Sequence, residues 1–257
     1  MIFDTHAHYD AQQFDQDRDT ILSSMNEQGV GLIVNASSDW DSLTKVINLT
    51  QQFPFVYGAI GIHPDSIGGL TQAHFTDLKT LARLEKIVAI GEIGLDYYWD
   101  AVPRQQQKDW FIAQLELARE LALPVIVHSR DAAHDTLEIM QKHGQGLNAV
   151  IHCFSYGVEM AREFVKLGNY IGIGGVLTFK NAKKIKEVVA DIPLDNLLLE
   201  TDCPYLAPDR FRGKRNNSSY LSYVASAMAD LKGVSTQEVE EITMKNGCEL
   251  FNIKEVN

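Results

Sequence analysis

The chain begins with the stretch Ile2-Phe3-Asp4-Thr5-His6-Ala7-His8, in which a short apolar segment gives way to alternating polar residues. Successive side chains of an extended segment point to opposite faces, so His6 and His8 lie on the same side and can share one ligand. Apolar segments followed by polar residues recur along the chain. This recurrence predicts the fold.

Further β-rich apolar runs follow, separated by segments with helical periodicity. The predicted strands are Ile2–Thr5, Gly31–Ala36, Val56–Ile62, Ile87–Ile93, Val125–Val127, Ala149–Ile151, Tyr170–Ile173 and Leu197–Leu199. Their starts are about 28 residues apart on average, which suits a strand followed by a crossover helix. The alternation predicts an α/β protein with a TIM-type (β/α)8 barrel, and the 257 residues match the roughly 250 that such a barrel needs.

The last part of the chain continues this organisation. Beyond the eighth predicted strand we expect a loop over residues 203–218, followed by helices over 220–231 and 236–251. No linker or low-complexity tract interrupts the sequence. We therefore predict that residues 1–257 form a single domain.

The composition is that of an ordinary globular protein. Hydrophobic residues make up 45% and charged residues 22%, which allows a large buried core. No apolar run approaches the roughly 20 residues that span a bilayer, and the three cysteines form neither an even set nor a C-x-x-C pair. We expect a cytoplasmic protein with reduced thiols, no membrane association and no obligate protein partner.

The net charge of −11 argues against a protein whose whole surface binds nucleic acid. A dense basic stretch, the basic loop at 210–216, contains Lys214 and Arg215 and could bind phosphate, although a solvated run of charges is the alternative. Three aromatic residues at 97–99 could stack on bases or pack at the rim. The negative net charge thus argues against a nucleic-acid-binding function without excluding it.

Candidate metal ligands lie where the predicted strands end. They are His6, His8, Glu92, His128, His152 and Asp202. Any one of them alone is more often structural or exposed, but their convergence on one rim indicates a metal site. Imidazole and carboxylate donors without thiolates favour Zn²⁺, Mn²⁺, Fe²⁺, Co²⁺ or Ni²⁺ over Ca²⁺, and Mg²⁺ stays open. We predict two divalent cations.

A carboxylate can bridge two cations, so we predict that Glu92 joins two groups of ligands. The first group comprises His6, His8 and Asp202, and the second comprises His128 and His152. Divalent cations bring the pKa of water towards neutrality, which predicts hydrolysis. Glu92 and Asp202 are the candidate catalytic residues, with Asp202 as the general base.

Three further residues are candidates for substrate binding. His63 follows the third predicted strand, where it could hydrogen-bond to substrate or serve as a structural histidine at a turn. Arg130 could contact an anionic oxygen or be an ordinary charge near a helix start. Glu200 points to the same side as Asp202 and could contact substrate, position a ligand or anchor the strand.

Four segments resemble the TatD family of metal-dependent deoxyribonucleases: 4–8, 91–97, 124–130 and 200–206. They occur in the family's order, and the likeness runs from the first residues to the terminal helix. The resemblance implies a TIM barrel of the amidohydrolase-like superfamily, a two-metal centre and hydrolysis of phosphodiester bonds. Single-stranded DNA or DNA ends are the implied substrate, and some branches of the family are associated with removal of aminoacyl groups from tRNA.

The resemblance implies the same metal ligands that the predicted strand ends indicate. One metal takes His6, His8, Glu92 and Asp202, and the other takes Glu92, His128 and His152. After the stretch 212–216, similar proteins usually continue with Glu and Pro, whereas Asn217 and Ser218 follow here. This departure leaves the substrate role of the basic loop open.

Three functions remain as hypotheses. The first is a metal-dependent nuclease. The second is a hydrolase of a small ester, amide or aminoacyl compound that uses the same centre, which the negative charge of the chain favours. The third is a non-catalytic binding module, because a fold does not by itself establish an activity.

Overall fold

A computed structural model of the chain describes residues 1–99 and 102–254. Its parallel strands form one sheet of eight, in which neighbours in sequence are neighbours in space. The strands are β1 Ile2–Ala7, β2 Val30–Ala36, β3 Val56–Ile60, β4 Ile87–Asp96, β5 Val125–Arg130, β6 Ala149–Ile151, β7 Tyr170–Ile173 and β8 Leu197–Leu199. The predicted (β/α)8 barrel is confirmed.

Helices follow the strands and pack on the outside of the sheet. They are α1 Arg18–Ser23, α2 Trp40–Gln52, α3 Gln72–Leu81, α4 Arg104–Leu121, α5 Ala133–His143, α6 Val158–Lys166, α7 Lys183–Asp191, α8 Leu221–Lys232 and α9 Thr236–Phe251. α8 and α9 lie within one residue of the predicted bounds. Among the residues that the structure describes, no helix is both long and apolar enough to cross a membrane.

Apolar side chains fill the interior of the barrel at the amino-terminal ends of the strands. Alternate strand residues such as Ile126, Val150 and Leu198 form a buried cluster with the end of α9, including Phe251. Side chains of a strand alternate between its faces, so the residues two positions later also point inwards. By this rule His128, His152 and Glu200 lie one layer above the apolar cluster.

Several strands continue beyond their predicted ends. β1 extends to Ala7, β4 to Asp96 and β5 to Arg130, so His6 and His128 lie inside strands rather than after them. The prediction ended β4 and β5 at the apolar residues Ile93 and Val127. Backbone pairing continues where the side chains turn polar, because the sheet is bonded through its main chain.

The barrel closes between β1 and β8 through polar contacts. The Thr5 hydroxyl donates to the carbonyl of Leu199 at 2.9 Å, and the amide of Asp202 donates to the carbonyl of His6 at 2.9 Å. Asp4 adds a buried carboxylate, which accepts hydrogen bonds from both the amide and the hydroxyl of Thr201. These bonds bring His6 and Asp202 side by side although they are far apart in sequence.

Candidate metal centre

The carboxyl ends of the strands surround a cavity of about 1040 Å³, here called the main cavity. Most of the predicted ligands line it: His8, Glu92, His128, His152 and Asp202. His6 is fully buried directly beside Glu92 and Asp202. The structure therefore brings all of the predicted ligands together, and we refer to them as the candidate metal centre.

One group of ligands surrounds the Oε2 atom of Glu92. The Nε2 atoms of His6 and His8 each lie 3.5 Å from this oxygen and 2.9 Å from each other. The Oδ1 atom of Asp202 lies 3.7 Å from His6 Nε2 and 3.4 Å from His8 Nε2. These four donor atoms come from two strands, β1 and β4, and from the segments that directly follow β1 and β8.

A second group surrounds the other oxygen of the same carboxylate. The Nδ1 atom of His128 and the Nε2 atom of His152 each lie 2.7 Å from Glu92 Oε1 and 3.2 Å from each other. Each oxygen of Glu92 therefore faces its own pair of imidazoles. This is the arrangement expected of a bridging carboxylate.

The spacing and chemistry of these atoms fit divalent cations. Ligands bound at 2.0–2.2 Å to a tetrahedral ion lie roughly 3.4 Å apart. The separations in the first group range from 2.9 to 3.7 Å. Imidazole nitrogens aimed at carboxylate oxygens in a buried site are also the donors that transition metals prefer.

The charges of the group are strongly coupled. Burial alone would lower the pKa of His128, but hydrogen bonds with Asp96 and Glu92 raise it to about 9. Burial also opposes a charge on His8, yet hydrogen bonds to the carboxylates beside it raise its pKa well above the usual value. Burial would raise the pKa of Glu92, but the charge on His152 and the surrounding hydrogen bonds lower it well below its ordinary value. Carboxylates and protonated imidazoles therefore offset one another.

His63 lies at the edge of the centre, with Nε2 3.7 Å from Glu92 Oε1. Its Nδ1 atom accepts a hydrogen bond from the amide of Asp65 at 3.2 Å. Burial, together with the charge on His128, lowers the pKa of His63 to about 3. The ring is therefore neutral with its proton on Nε2, where it can donate into the main cavity.

Glu200 lies behind the second group rather than in the main cavity. Its Oε1 atom accepts a hydrogen bond from the amide of Cys153 and lies 3.9 Å from Nδ1 of His152. Burial raises the pKa of Glu200 to about 8. A Cβ atom at Gly172 would come within 2.3 Å of Glu200 Oε2, so a residue without a side chain leaves room for this carboxyl group.

The basic residues that were predicted to contact an anionic substrate have different surroundings in the structure. Arg130 lines the main cavity, and its guanidinium lies 3.9 Å from the ring centroid of Tyr98. In the basic loop, Arg215 instead donates two hydrogen bonds to Asp17, at 2.9 and 2.6 Å. Lys214 is exposed to solvent. Arg130 is thus brought to the centre, and the substrate roles of Lys214 and Arg215 stay predictions.

One residue of the site was not predicted from the sequence. The Oδ2 atom of Asp96 lies 3.1 Å from Nε2 of His128, and its Oδ1 atom accepts hydrogen bonds from the amides of Tyr98 and Trp99. A signal existed, because Asp96 is four residues after Glu92 and shares its face of the strand. Ending the predicted strand at residue 93 hid this relationship.

Comparisons with known proteins point to one family. The family model described as TatD related DNase matches residues 3–252. The chain is 44% identical to YabD of Bacillus subtilis, described as an uncharacterized metal-dependent hydrolase, over 98% of this chain and 100% of that protein. It is 36% identical to the similarly described YcfH of Escherichia coli K12, over 98% and 96% of the two chains.

Solved structures agree with the sequence comparisons. The crystal structure of YjjV, a TatD homologue from Escherichia coli K12, superposes with a TM-score of 0.93 and 32% identity, and 98% of each chain is covered. A phosphotriesterase homology protein from Escherichia coli matches with a TM-score of 0.69 and 14% identity over 97% and 98% of the chains. The second likeness concerns the fold alone.

Proposed function

The chain belongs to the TatD family of metal-dependent hydrolases, and from that premise we propose that it is a deoxyribonuclease that uses two divalent cations. The proposed reaction is hydrolysis of a phosphodiester bond in single-stranded DNA or at a DNA end. The family model, described as TatD related DNase, supports the proposed substrate.

The observation that carries the two-cation proposal is the position of Glu92. Its Oε2 atom faces His6 and His8, and its Oε1 atom faces the imidazoles of the second group. We assign Asp202 to the first cation as a further ligand. A divalent cation supplies Lewis acidity, since it lowers the pKa of a nearby water molecule and offsets the negative charge of a phosphate.

Side chains of the centre supply the proton transfers. Burial would raise the pKa of Asp202, but its hydrogen bond with His8 and the charge of that imidazole lower it. Asp202 is therefore anionic at neutral pH in the metal-free protein, and as a metal ligand it would stay anionic and take the proton of the attacking water. His63 donates a hydrogen bond from Nε2 to a phosphate oxygen, and Arg130 offsets the charge of the phosphate from the rim.

The rim of the main cavity offers surfaces for unpaired bases. Trp99 and Tyr205 both line it, and their exposed fractions are 61% and 52%. Exposed aromatic rings at the mouth of a site are typical of proteins that stack single-stranded nucleic acid. Arg130 also lines the main cavity, with its guanidinium 5.7 Å from the ring centroid of Trp99.

Cleavage assays test the proposal. Purified protein is incubated with end-labelled single-stranded and duplex oligonucleotides in Mg²⁺ or Mn²⁺, with and without EDTA. Wild type and the control Glu27→Ala, an exposed residue outside the centre, are expected to cleave in a metal-dependent manner. Glu92→Ala is expected to lose both bound metal and cleavage, because it removes a donor from both groups.

Other outcomes would favour the remaining hypotheses. Turnover of small esters or aminoacyl compounds by a protein that leaves oligonucleotides intact would reject DNA as the substrate. A non-catalytic module would show no reaction whose rate changes in Asp202→Asn.

A further inference from the structure

A second pocket opens beside the candidate metal centre. This side pocket has a volume of about 510 Å³, within the roughly 300–1,000 Å³ typical of small-ligand sites. It shares part of its lining with the main cavity, including Cys153, Val176 and Asp202. The two cavities are therefore adjacent, and a ligand in the side pocket would touch the edge of the centre at Asp202.

The lining of the side pocket is largely apolar. Phe154 and Ile185 form a buried wall, whereas Val176 and Ala182 are partly exposed. Leu206 remains 40% exposed at the border with the main cavity. A concave apolar surface that faces water next to a reactive centre is typical of a site for a planar or apolar group of a ligand.

Positive charge borders this apolar surface. The segment 180–186, here called the lysine segment, contains four lysines in seven residues, as many basic residues as the basic loop. Lys183 and Lys184 line the side pocket, and both are exposed. Neither forms an ion pair with any residue in the ranges 1–99 and 102–254.

In the part of the chain that the structure describes, the arginines of the basic loop have partners within the protein, unlike the lysines of the side pocket. Arg215 is engaged by Asp17, and the guanidinium of Arg212 lies 4.8 Å from the ring centroid of Phe179. The lysines of the side pocket have no such partner among the described residues, and they stand out in a chain with a net charge of −11. Unpaired cations at the start of a helix after the seventh strand suit a phosphate, because barrels of this type often bind phosphate in that region.

We propose that the side pocket binds the terminal nucleotide of a polynucleotide strand, with its base against the wall formed by Phe154 and Ile185 and a phosphate beside Lys183 and Lys184. The proposal rests on the function proposed above and adds to it a binding site for the last nucleotide of the strand. A base in the side pocket would leave the next phosphodiester near Asp202, which lines both cavities.

Charge complementarity selects this occupant over others. An aminoacyl or small ester group could fill the apolar part, but it would leave the two lysines without a partner. Inorganic phosphate could meet the lysines, but it would leave the apolar wall exposed to water. A nucleotide combines a planar base with an anion and satisfies both parts.

Ligand binding measured in EDTA, which removes the metal and stops cleavage, tests the side pocket independently of the reaction. The probes are deoxynucleoside 5′-monophosphates, deoxynucleosides and inorganic phosphate, and calorimetry measures each affinity. We expect the monophosphates to bind tighter than either fragment. Lys183→Ala/Lys184→Ala is expected to weaken them roughly tenfold. The matched control Lys142→Ala/Lys166→Ala removes the same charge from α5 and α6 and is expected to have no effect.

A second variant blocks the apolar part. Ala182→Phe is expected to fill the side pocket and abolish monophosphate binding, while circular dichroism and thermal melting report whether it folds. If inorganic phosphate binds as tightly as the monophosphates, or if an aminoacyl ester binds and they do not, the proposal is wrong. The surface lysine variant decides the question even if Ala182→Phe does not fold.

Activity measurements distinguish failure of this proposal from failure of the proposed function. With metal, Lys183→Ala/Lys184→Ala is expected to raise the KM for a single-stranded oligonucleotide and leave kcat nearly unchanged. Cleavage with wild-type KM in this variant and in a folded Ala182→Phe would overturn the side-pocket proposal and keep the nuclease. Tight, lysine-dependent monophosphate binding without any oligonucleotide cleavage would support the pocket and reject the nuclease.

Discussion

The Nε2 atom of His128 lies 3.1 Å from Oδ2 of Asp96, on the side of the ring away from Glu92. Nε2 donates its proton to this carboxylate, so Nδ1 presents a lone pair towards Glu92 when the ring is neutral. A metal ligand needs that tautomer. The other oxygen of Asp96 accepts the amides of Tyr98 and Trp99, at 2.8 and 3.2 Å. One buried carboxylate therefore positions both a ligand and the aromatic rim.

Asp96→Asn should impair the metal centre without unfolding the protein. The new amide can still accept the two backbone bonds, but its NH₂ group would donate to Nε2 of His128 and move the imidazole proton to Nδ1. We expect metal affinity or kcat to fall about 10- to 100-fold, the usual effect of losing a carboxylate that orients a ligating histidine. Metal content by mass spectrometry and steady-state kinetics measure the two effects.

The control for this variant is Asp77→Asn, an exposed residue of α3. It should behave as wild type. Wild-type metal content and kcat in Asp96→Asn would show that this carboxylate does not set the tautomer of His128.

Metal uptake should release protons and become tighter as the pH rises. In the metal-free protein His128 has a pKa of about 9, and the pKa values of His8 and His152 are raised as well. A cation must displace these protons, so below about pH 9 its affinity should increase with pH, by roughly tenfold per unit for each proton displaced. Calorimetry at several pH values, in buffers of different ionisation enthalpy, counts the protons.

A flat affinity between pH 6 and 9 would contradict this coupling, because it would mean that the imidazoles are already neutral. Asp96→Asn offers an internal comparison. It removes one of the two carboxylates that raise the pKa of His128, so its pH dependence should shift to lower pH.

The sequence was sufficient to predict the barrel and to select the candidate ligands that the structure brings together, because both predictions follow from local patterns. The bounds of β6, β7 and β8 match those predicted from their apolar runs alone. Local patterns could not predict which side chains that are distant in sequence would pair in the folded barrel. Whether Arg215 meets substrate or Asp17 depends on a partner 198 positions away in the sequence.

Asp96 and the side pocket were missed for a related reason. Asp96 lies beyond the last apolar residue of its run, where hydrophobicity no longer reports the strand. The sequence of the lysine segment is typical of a solvated helix start, and only the fold places Lys183 and Phe154 around the same pocket. Cavities are formed by residues from several βα units, so no single stretch of sequence encodes them.

Trp99→Ala should weaken oligonucleotide binding and leave the centre intact. The indole is 61% exposed at the rim of the main cavity, so its removal creates no void in the core. Stacking on one base contributes about 1–3 kcal/mol, which corresponds to a roughly 5- to 150-fold increase in KM or Kd. Fluorescence anisotropy with a labelled single strand measures it, and Trp40→Phe, on α2, is the control. An unchanged Kd would remove Trp99 from the binding surface.

Asp4→Asn should change the stability of the EDTA-treated protein by an amount that depends on pH. Burial raises the pKa of Asp4 from 3.8 to about 6, against the hydrogen bonds from Ser218 and Thr201. The native state thus binds this proton more tightly than the unfolded chain, and the stability contributed by Asp4 is present below pH 3.8 and lost as the pH rises through 6. An asparagine does not titrate. The stability of wild type relative to Asp4→Asn should therefore fall between pH 4 and pH 7.5, by up to roughly 3 kcal/mol. Urea unfolding at both pH values gives this difference, in which the titration of all other groups cancels. An equal difference at the two pH values would mean that Asp4 keeps an ordinary pKa where β1 meets β8.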